Sequence, residues 1–296
     1  MNKKITTPYF FLAPALITLL FFFFLPVAAS FLMSFTDFDI YSIGNLSRSR
    51  FVFFQNYQHL LNDPLFWKSL LNTGYFVLVG GPLTIFIALF FAIVLNSKTV
   101  RFKGFFRLAF FMPVVTNIVA IAVVWRYLYH PRFGAINYFL SFLGVKPIDW
   151  LGNPHWAMPA LIILATWKNF GYYMMIYLAG LQAVPVYMYE AAKLDGANWW
   201  QQQKHITLPQ LAPTTFFVTI ITVVGYFQFF AEPYVMTQGG PLNSTLSIVL
   251  YLYQQGFRWW KMGYASSIAF VLFFIVFVLA MLQMMVRKNR VKNGFV

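Results

Sequence analysis

Long apolar runs dominate the pattern of residues along this chain. A membrane-spanning helix needs about 20 mainly apolar residues in succession, and six stretches reach that length. They are Tyr9–Phe35, Ser69–Leu95, Phe105–Tyr129, Trp156–Leu181, Leu211–Ala231 and Gly263–Val286. The pattern therefore predicts an all-α membrane protein with about six transmembrane helices.

The first apolar run follows Lys3 and Lys4, an order that is also found in secretory signal peptides. The apolar region of a signal peptide has only about 7–15 residues and leads to a small-residue cleavage site. The run from Tyr9 to Phe35 is longer than this and lacks a clear cleavage site. We therefore predict an uncleaved first transmembrane helix.

Composition supports a membrane environment for most of the chain. Of its 296 residues, 60% are hydrophobic and only 9% are charged, whereas an ordinary soluble domain has about 25% charged residues. A water-facing surface cannot be built from so few charges. Much of the chain must therefore face lipid or other membrane helices.

Lysine and arginine are divided unevenly between two sets of helix ends. One set is strongly basic and has only Glu190 and Asp195 as acids; it comprises Lys3, Lys4, Lys98, Arg101, Lys103, Arg107, Lys193, Lys204, Arg287, Lys288, Arg290 and Lys292. The other set, which includes Arg48, Arg50 and Lys68, is nearly balanced by acids such as Glu232. The positive-inside rule places the basic set in the cytoplasm. With an even number of helices, both termini are then cytoplasmic.

The net charge of +14 would suit a nucleic-acid partner only if the basic residues formed one surface. They lie instead in short clusters between apolar runs, so we predict no nucleic-acid binding. The chain has no cysteine, and its four histidines are scattered without the spacing of metal ligands. We predict no metal site.

Three regions follow from this pattern. Residues 1–66 would hold the first transmembrane helix and an outer loop, and residues 67–287 a core membrane domain with a cytoplasmic loop at 183–209. Residues 288–296 would form a cytoplasmic tail.

The cytoplasmic loop carries the most informative residues. It reads Tyr-Glu-Ala-Ala-Lys-Leu-Asp-Gly-Ala over 189–197. Glutamate, alanine, lysine and leucine favour a short helix over Glu190–Leu194, and Gly196 suits its end. A second short piece would run from Trp199 to Ile206, and Pro209 could start the next membrane helix. Two short helices parallel to the membrane would make a compact docking surface.

These residues resemble the EAA loop of ABC importer permeases. The likeness rests on Glu-Ala-Ala at 190–192, on Gly196 four residues after Ala192, and on Leu208-Pro209. It is closest to the carbohydrate branch, which includes the maltose, glycerol-phosphate and multiple-sugar types. The likeness covers most of the chain and is strongest from about Thr166 to Ala265.

The resemblance implies a fold like that of type I ABC importer permeases and a role in import by alternating access. The solute would be a carbohydrate, a polyol or a glycerol phosphate. The ATPase-coupling residues would be Glu190, Ala191, Ala192, Asp195, Gly196, Leu208 and Pro209. The location would be the cytoplasmic (inner) membrane of a prokaryote.

The resemblance also implies partners. They would be a second, different permease subunit, two cytoplasmic ATPase subunits and an extracellular or periplasmic solute-binding protein, besides membrane lipid. The chain lacks a Gly-x-x-x-x-Gly-Lys-Ser/Thr phosphate loop. We therefore expect it to bind no cofactor, with ATP and Mg held by the partner ATPase.

Six residues are candidates for the substrate pathway. The resemblance to maltose-type permeases places them on the sugar site: Lys168, Asn169, Tyr172, Tyr226, Gln228 and Phe229. A charge at membrane depth is costly and points to a functional site. As alternatives, Tyr226 and Phe229 are ordinary packing, and Lys168 reaches an interface or pairs with Glu232.

A tight turn is expected at Gly239, Gly240 and Pro241. In the resembled family this outer segment lies close to the pore and to the docked binding protein. The alternative is a turn without a further role.

Two other classes of membrane protein are alternatives to an ABC importer permease. A membrane enzyme would need clustered acids or histidines near a membrane face. A secondary carrier, for a sugar or for another small polar solute, would usually show internal repeats and intramembrane acids. Neither pattern is evident in the sequence.

Overall fold

The structure is a computed structural model that describes residues 3–42, 44, 49–97 and 99–292, with the side chains of 11–42, 44, 49–97 and 99–287. The helices in chain order are α1 Lys3–Leu19, α2 Leu25–Met33, α3 Gln55–Leu61, α4 Pro64–Asn96, α5 Lys103–Val115, α6 Ile118–Leu128, α7 Ala135–Ser141, α8 Pro154–Gln182, α9 Val186–Leu194, α10 Trp199–Gln202, α11 Leu208–Gln210, α12 Ala212–Phe227, α13 Ala231–Met236, α14 Ile248–Tyr253 and α15 Met262–Lys292.

Among the described residues, four helical segments are long and apolar enough to cross a membrane. They are Phe11–Met33, Pro64–Asn96, Ala212–Met236 and Met262–Arg287. The bent pair of α5 and α6 makes a fifth if it is counted as one span. The predicted all-α membrane class is confirmed, and the cytoplasmic location of the termini stays a prediction.

The fourth predicted span corresponds to α8. Its 29 residues make a helix about 44 Å long at 1.5 Å per residue, which is enough for a bilayer core of about 30 Å. It is less apolar than the other spans because Lys168 and Asn169 interrupt it near its middle. The sixth crossing of the membrane therefore stays a prediction.

The third predicted span, Phe105–Tyr129, was wrong as a single helix. The axes of α5 and α6 differ by 100°. Thr116 is extended, and the Asn117 side chain accepts a hydrogen bond of 2.8 Å from the backbone N–H of Val119. Asparagine is among the best residues for starting a helix in this way, and the apolar pattern hid the break because both halves are apolar.

The chain forms two compact units, the first made of residues 1–67 and 251–274. In this unit the Asp63 carboxylate accepts hydrogen bonds from the hydroxyls of Tyr251 and Tyr264. Burial raises the pKa of Asp63, but these hydrogen bonds outweigh it and hold the pKa below its usual value. The predicted outer loop contains α3 and an isolated bridge between Thr36 and Phe51.

The second unit, residues 68–250 and 275–296, has an apolar core around α8. This core consists of the buried residues Ala88, Ala92, Leu95, Phe170, Tyr173, Met174, Tyr177, Leu178, Leu181, Leu211 and Val218. Gly171 lies against the backbone carbonyl of Phe110, so that a side chain there has no room. This close approach packs α5 against α8 and fixes the position of the polar residues in the middle of α8.

Some predictions fall outside the described part of the chain. Arg48, Lys98 and residues 293–296 of the predicted tail lie outside the described residues, as do the side chains of Lys3, Lys4, Lys288, Arg290 and Lys292. Helix α15 continues to Lys292, beyond the predicted end at Val286. The boundaries of the three predicted regions stay predictions.

Candidate functional site

A cavity of about 390 Å³ lies within the second unit, among α4, α6, α8, α12 and α13. Its lining comprises Phe76, Ile118, Ala165, Lys168, Asn169, Gly225, Tyr226, Gln228, Phe229, Phe230, Ala231 and Glu232. Five of the six substrate-pathway candidates are thus brought together. The sixth, Tyr172, does not line it; this residue is 45% exposed and contacts the ring of Tyr173 edge-on.

Lys168 joins the cavity to the bend between α5 and α6. Its ammonium donates hydrogen bonds to the carbonyl oxygens of Pro113 at 3.1 Å, Val114 at 3.2 Å and Thr116 at 3.1 Å. The last carbonyls of a helix have no partner within the helix, and a cation is favourable beside them. Lys168 therefore caps the C-terminal end of α5.

Tyr226 and Phe229 form a fixed aromatic wall of the cavity. The Tyr226 hydroxyl lies 2.6 Å from the Thr84 hydroxyl, which donates to that of Thr166 at 3.0 Å. The ring of Phe229 stacks on that of Phe76, with 3.7 Å between centroids. Both candidates are buried, so they shape the cavity and are themselves held by packing.

Asn169 and Gln228 supply amide groups to the cavity. The Asn169 side chain donates a hydrogen bond of 2.9 Å to the carbonyl of Ala165, one turn earlier in α8. Gln228 is exposed at the C-terminal end of α12. Their remaining donors and acceptors are of the kind that sugar hydroxyls can pair with.

Glu232 is a lining residue that the sequence analysis did not include among the pathway candidates. It was assigned to the balanced charges of the outer loops, but it lies half-buried in the first turn of α13. It is the last acidic residue of the chain, within a span of mainly apolar residues. An isolated acid in such a span is a signal for a functional site that would have found it.

The segment after α13 makes the expected tight turn. Gly239 has a φ of +89°, a value that glycine adopts without steric cost. The hydroxyl of Thr245 donates to the carbonyl of Gly240 at 2.7 Å, and its backbone N–H donates to that of Gly239 at 3.2 Å. Pro241 follows Gly240 in this turn, and its relation to the pore and to a binding protein stays a prediction.

Polar side chains of α4 hold this turn in place. Lys68 donates to the carbonyl of Leu242 at 2.6 Å, and Asn72 donates to that of Asn243 at 2.8 Å. Thr73 accepts a hydrogen bond of 2.9 Å from the backbone N–H of Ile248. Sequence reasoning missed these contacts because they join residues more than 170 positions apart.

The predicted docking loop begins with α9, which ends in a well-defined C-cap. The N–H of Gly196 donates to the carbonyl of Lys193 at 3.1 Å, and that of Ala197 donates to the carbonyl of Ala192 at 2.8 Å. This is the Schellman arrangement, which needs a left-handed residue, and Gly196 supplies it with a φ of +78°.

The second piece of the loop starts at α10. Asn198 and Gln201 exchange side-chain and backbone hydrogen bonds of 2.7 and 2.9 Å, a reciprocal capping box. A π-helical turn over Gln203–Thr207 leads to α11, which contains Leu208 and Pro209. The membrane-length helix α12 begins at Ala212, later than the predicted start at Pro209, because Pro213 occupies its first turn.

The two pieces of the loop are tied together at their bases. The Tyr189 and Thr207 hydroxyls are 3.0 Å apart, and the Gln202 side chain donates to the carbonyl of Ala197 at 2.9 Å. The predicted coupling residues Glu190, Ala191 and Asp195 are exposed.

Large apolar side chains of the loop also face outward. Leu194 is 90% exposed, Trp200 75% and Tyr187 69%. Exposed apolar groups that cluster on one segment mark interaction sites. The loop therefore has the surface of a partner-binding element.

Comparison with known proteins gives one consistent family. Residues 80–291 match the family described as "Binding-protein-dependent transport system inner membrane component". The chain is 36% identical over 287 residues to the "Probable ABC transporter permease protein YurN" of Bacillus subtilis, which covers 96% of this chain and 97% of that one. It is 37% identical over 284 residues to the "Arabinooligosaccharides transport system permease protein AraP" of the same organism, which covers 95% and 88%.

A solved structure shares the fold. It is a bacterial alginate ABC transporter in complex with an alginate pentasaccharide-bound periplasmic protein, and the match has a TM-score of 0.77 at 23% identity. The match covers 95% of this chain and 93% of the other. The helices described above are therefore arranged as in a known ABC transporter chain.

Proposed function

Because the chain belongs to the family of binding-protein-dependent transport system inner membrane components, we propose that it forms part of the path along which a carbohydrate is imported. It is a multi-pass membrane protein and a permease subunit of an ABC transporter. A carbohydrate cargo is supported by the arabinooligosaccharide transporter among its relatives.

The chemistry of the cavity supports a sugar-like solute. Its aromatic wall, which includes Tyr226 and Phe229, offers apolar faces, and Asn169 and Gln228 offer amide donors and acceptors. A sugar needs both, because its ring has apolar C–H faces and its hydroxyls donate and accept hydrogen bonds. Polyols and glycerol phosphate have the same hydroxyl chemistry.

The observation that carries the energy-coupling part of the proposal is the exposed docking loop. Leu194, at the C-terminal end of α9, is 90% exposed and is followed by the exposed C-cap residue Asp195 and by the left-handed Gly196. In this proposal the loop inserts into a cytoplasmic ATPase subunit, of which the transporter holds two. ATP is bound there together with Mg and is hydrolysed, and closure of the ATPases is transmitted to α8 and α12.

Two further partners complete the proposed assembly. A second, different permease subunit supplies the other half of the pore. A solute-binding protein delivers the cargo from outside; the solved alginate transporter was crystallised with a periplasmic protein. The turn at Gly239, Gly240 and Pro241 is the part of this chain that we assign to the outer mouth.

The test is purification of the tagged chain from its native membrane in mild detergent, with the bound proteins identified by mass spectrometry. We expect an ATPase with a phosphate-binding loop and a second permease, and we expect the variant Glu190→Ala to lose the ATPase. Recovery of the intact, folded chain alone would contradict the proposal.

A secondary carrier is the function that uptake measurements must distinguish from ATP-driven import, and the ionisable cavity residues that it would use are Lys168 and Glu232. Intramembrane charges of this kind are used for ion coupling. Uptake into cells separates the two functions. Uptake that stops on ATP depletion supports the ABC importer, whereas uptake that survives ATP depletion but stops with an uncoupler supports the carrier.

A further inference from the structure

The donors of Lys168 are fully used within the protein. An ammonium group has three N–H donors and no acceptor, and Lys168 makes three hydrogen bonds to backbone carbonyls. A solute that bound to this group would first have to displace at least one of them. Lys168 therefore contributes its charge to the cavity but has no donor left for a ligand.

The carbonyls that Lys168 binds are those freed by the bend. Pro113 and Val114 end α5, and Thr116 is the extended residue before the N-cap of α6. Without Lys168 these carbonyls lose the donor that pairs them, which is unfavourable for the buried Pro113 and the half-buried Val114 and matters less for the exposed Thr116. The hydrogen bonds of Lys168 thus oppose straightening or rotation of α6, which places Ile118 in the cavity wall.

Glu232 differs from Lys168 in how many of its hydrogen-bonding sites are used within the protein. An ionised carboxylate has about four lone-pair sites for hydrogen bonds. Among the described residues, no other side chain donates a hydrogen bond to it, and its own backbone N–H is its one hydrogen-bond donor. Glu232 lines the same cavity as Asn169 and Gln228, so that its remaining acceptors are available there.

We propose that Lys168 is a positioning residue for the bend between α5 and α6, and that Glu232 recognises the solute by accepting hydrogen bonds from its hydroxyl groups, so that the cavity suits polyhydroxy solutes. This inference rests on the proposed function of the cavity as the transport path. Hydroxyl groups donate to Glu232 in charge-assisted hydrogen bonds, which are about twice as strong as neutral ones. An anionic group brings only acceptors, for which the carboxylate has no donor, and the charge of Lys168 in the same cavity offsets part of its repulsion by Glu232.

The charge preference of the cavity is tested without knowing the solute. The chain has no cysteine, so Gln228→Cys introduces a single thiol into the cavity lining. The probes are two methanethiosulfonates, one with an anionic sulfonatoethyl group and one with a cationic trimethylammonioethyl group. Both attack the same thiolate, so the ratio of their rates cancels the effect of the mutation on the ionisation of the thiol.

We expect Glu232→Gln to lower the cationic-to-anionic rate ratio by about tenfold, because one negative charge less than a Debye length from the thiol is removed. The matched control is Phe139→Cys, at an exposed position in α7, where the ratio is expected not to depend on residue 232. An unchanged ratio at Gln228→Cys on removal of Glu232 overturns the recognition role.

The positioning role is tested by distance measurement in the purified full-length chain. Spin labels are placed on cysteines at Leu108 in α5 and Tyr127 in α6, both exposed. We expect Lys168→Met to broaden and shift the distance distribution, and Glu232→Gln to leave it unchanged. Should Lys168→Met not accumulate as folded protein, Lys168→Gln, which keeps two N–H donors, is measured in its place.

A distribution that is identical with and without the lysine overturns the positioning role. Neither readout uses transport or partner subunits. A negative result in these two tests therefore does not contradict ATP-driven import. A negative result in the partner purification does not contradict the roles of Glu232 and Lys168.

Discussion

The cavity and the docking loop are built on the same two long helices, yet the cavity holds polar side chains inside the protein, whereas the loop exposes apolar side chains. Helix α8 carries Lys168 near its middle and leads into the loop at its C-terminal end, and α12 follows the loop and ends at the cavity. In the cavity, Lys168 and Tyr226 are turned inward and hydrogen-bonded. In the loop, Leu194 and Trp200 are turned outward and exposed.

This difference indicates which contacts stabilise each region. The cavity residues are held by contacts within the chain, so changes there should alter folding or shape. The outward side chains of the loop make little contact within the chain, so changes there should spare folding and alter the binding of a partner. Each prediction below asks whether this division holds.

The largest effect is expected from Gly171→Leu on the cavity side. Gly171 lies against the backbone carbonyl of Phe110, and a backbone group cannot move aside as a side chain can. We expect loss of folded, monodisperse protein in size-exclusion chromatography, because α5 can no longer approach α8. The control is Gly74→Leu in α4, where nothing lies within 4 Å of an added Cβ; equal behaviour of the two variants would refute the close crossing.

A smaller but clear effect is expected from Leu194→Ser in the loop. Full burial of a leucine side chain is worth about 1.5–3 kcal/mol, so its loss should weaken ATPase capture by about tenfold or more. Mass spectrometry of the purified complex measures this. Thermal stability of the chain should not change.

The matched control for this variant is Leu143→Ser. Leu143 is 78% exposed but lies after α7, away from the loop. It should leave capture unchanged, and a similar loss of the ATPase in both variants would mean that the effect is not specific to docking.

A weaker effect than that of Leu194→Ser is expected from Gly196→Ala. A left-handed backbone costs an L-residue about 1–2 kcal/mol, and relief of that strain would unwind the cap of α9. We expect capture of the ATPase to fall about fivefold. Gly144→Ala is the control, since Gly144 has a φ of +73° and also has open space around it; it should cost similar stability but no capture.

The smallest effect is expected from Tyr226→Phe. This change removes the hydrogen bond to Thr84 in a buried position, which is worth about 1 kcal/mol. The melting temperature should fall by about 2–4 °C while capture of the ATPase stays the same. Tyr172→Phe, at an exposed residue outside the cavity, should leave the melting temperature unchanged, and a fall in both variants would show that the Thr84 contact is not the cause.

Parts of both regions could be predicted from the sequence. The helix predicted over Glu190–Leu194 and its end at Gly196 follow from short-range preferences, because helix formers and a glycine after the last helical turn act on their neighbours, whereas the start of α9 at Val186 was not predicted. The grouping of Lys168, Asn169, Tyr226, Gln228 and Phe229 came from the family resemblance. Tyr172 does not line the cavity, and its role in the substrate pathway stays a prediction.

The sequence by itself determined the membrane class, the apolar runs, the loop helix and its cap, since each depends on composition or on neighbours within a few positions. Only the tertiary structure decided the 100° bend at Thr116, its capping by Lys168 and the place of Glu232 in the cavity. The reason is physical. The partners of Lys168 lie more than 50 positions away in the chain. The pattern of apolar residues does not predict which distant backbone carbonyls need a hydrogen-bond donor.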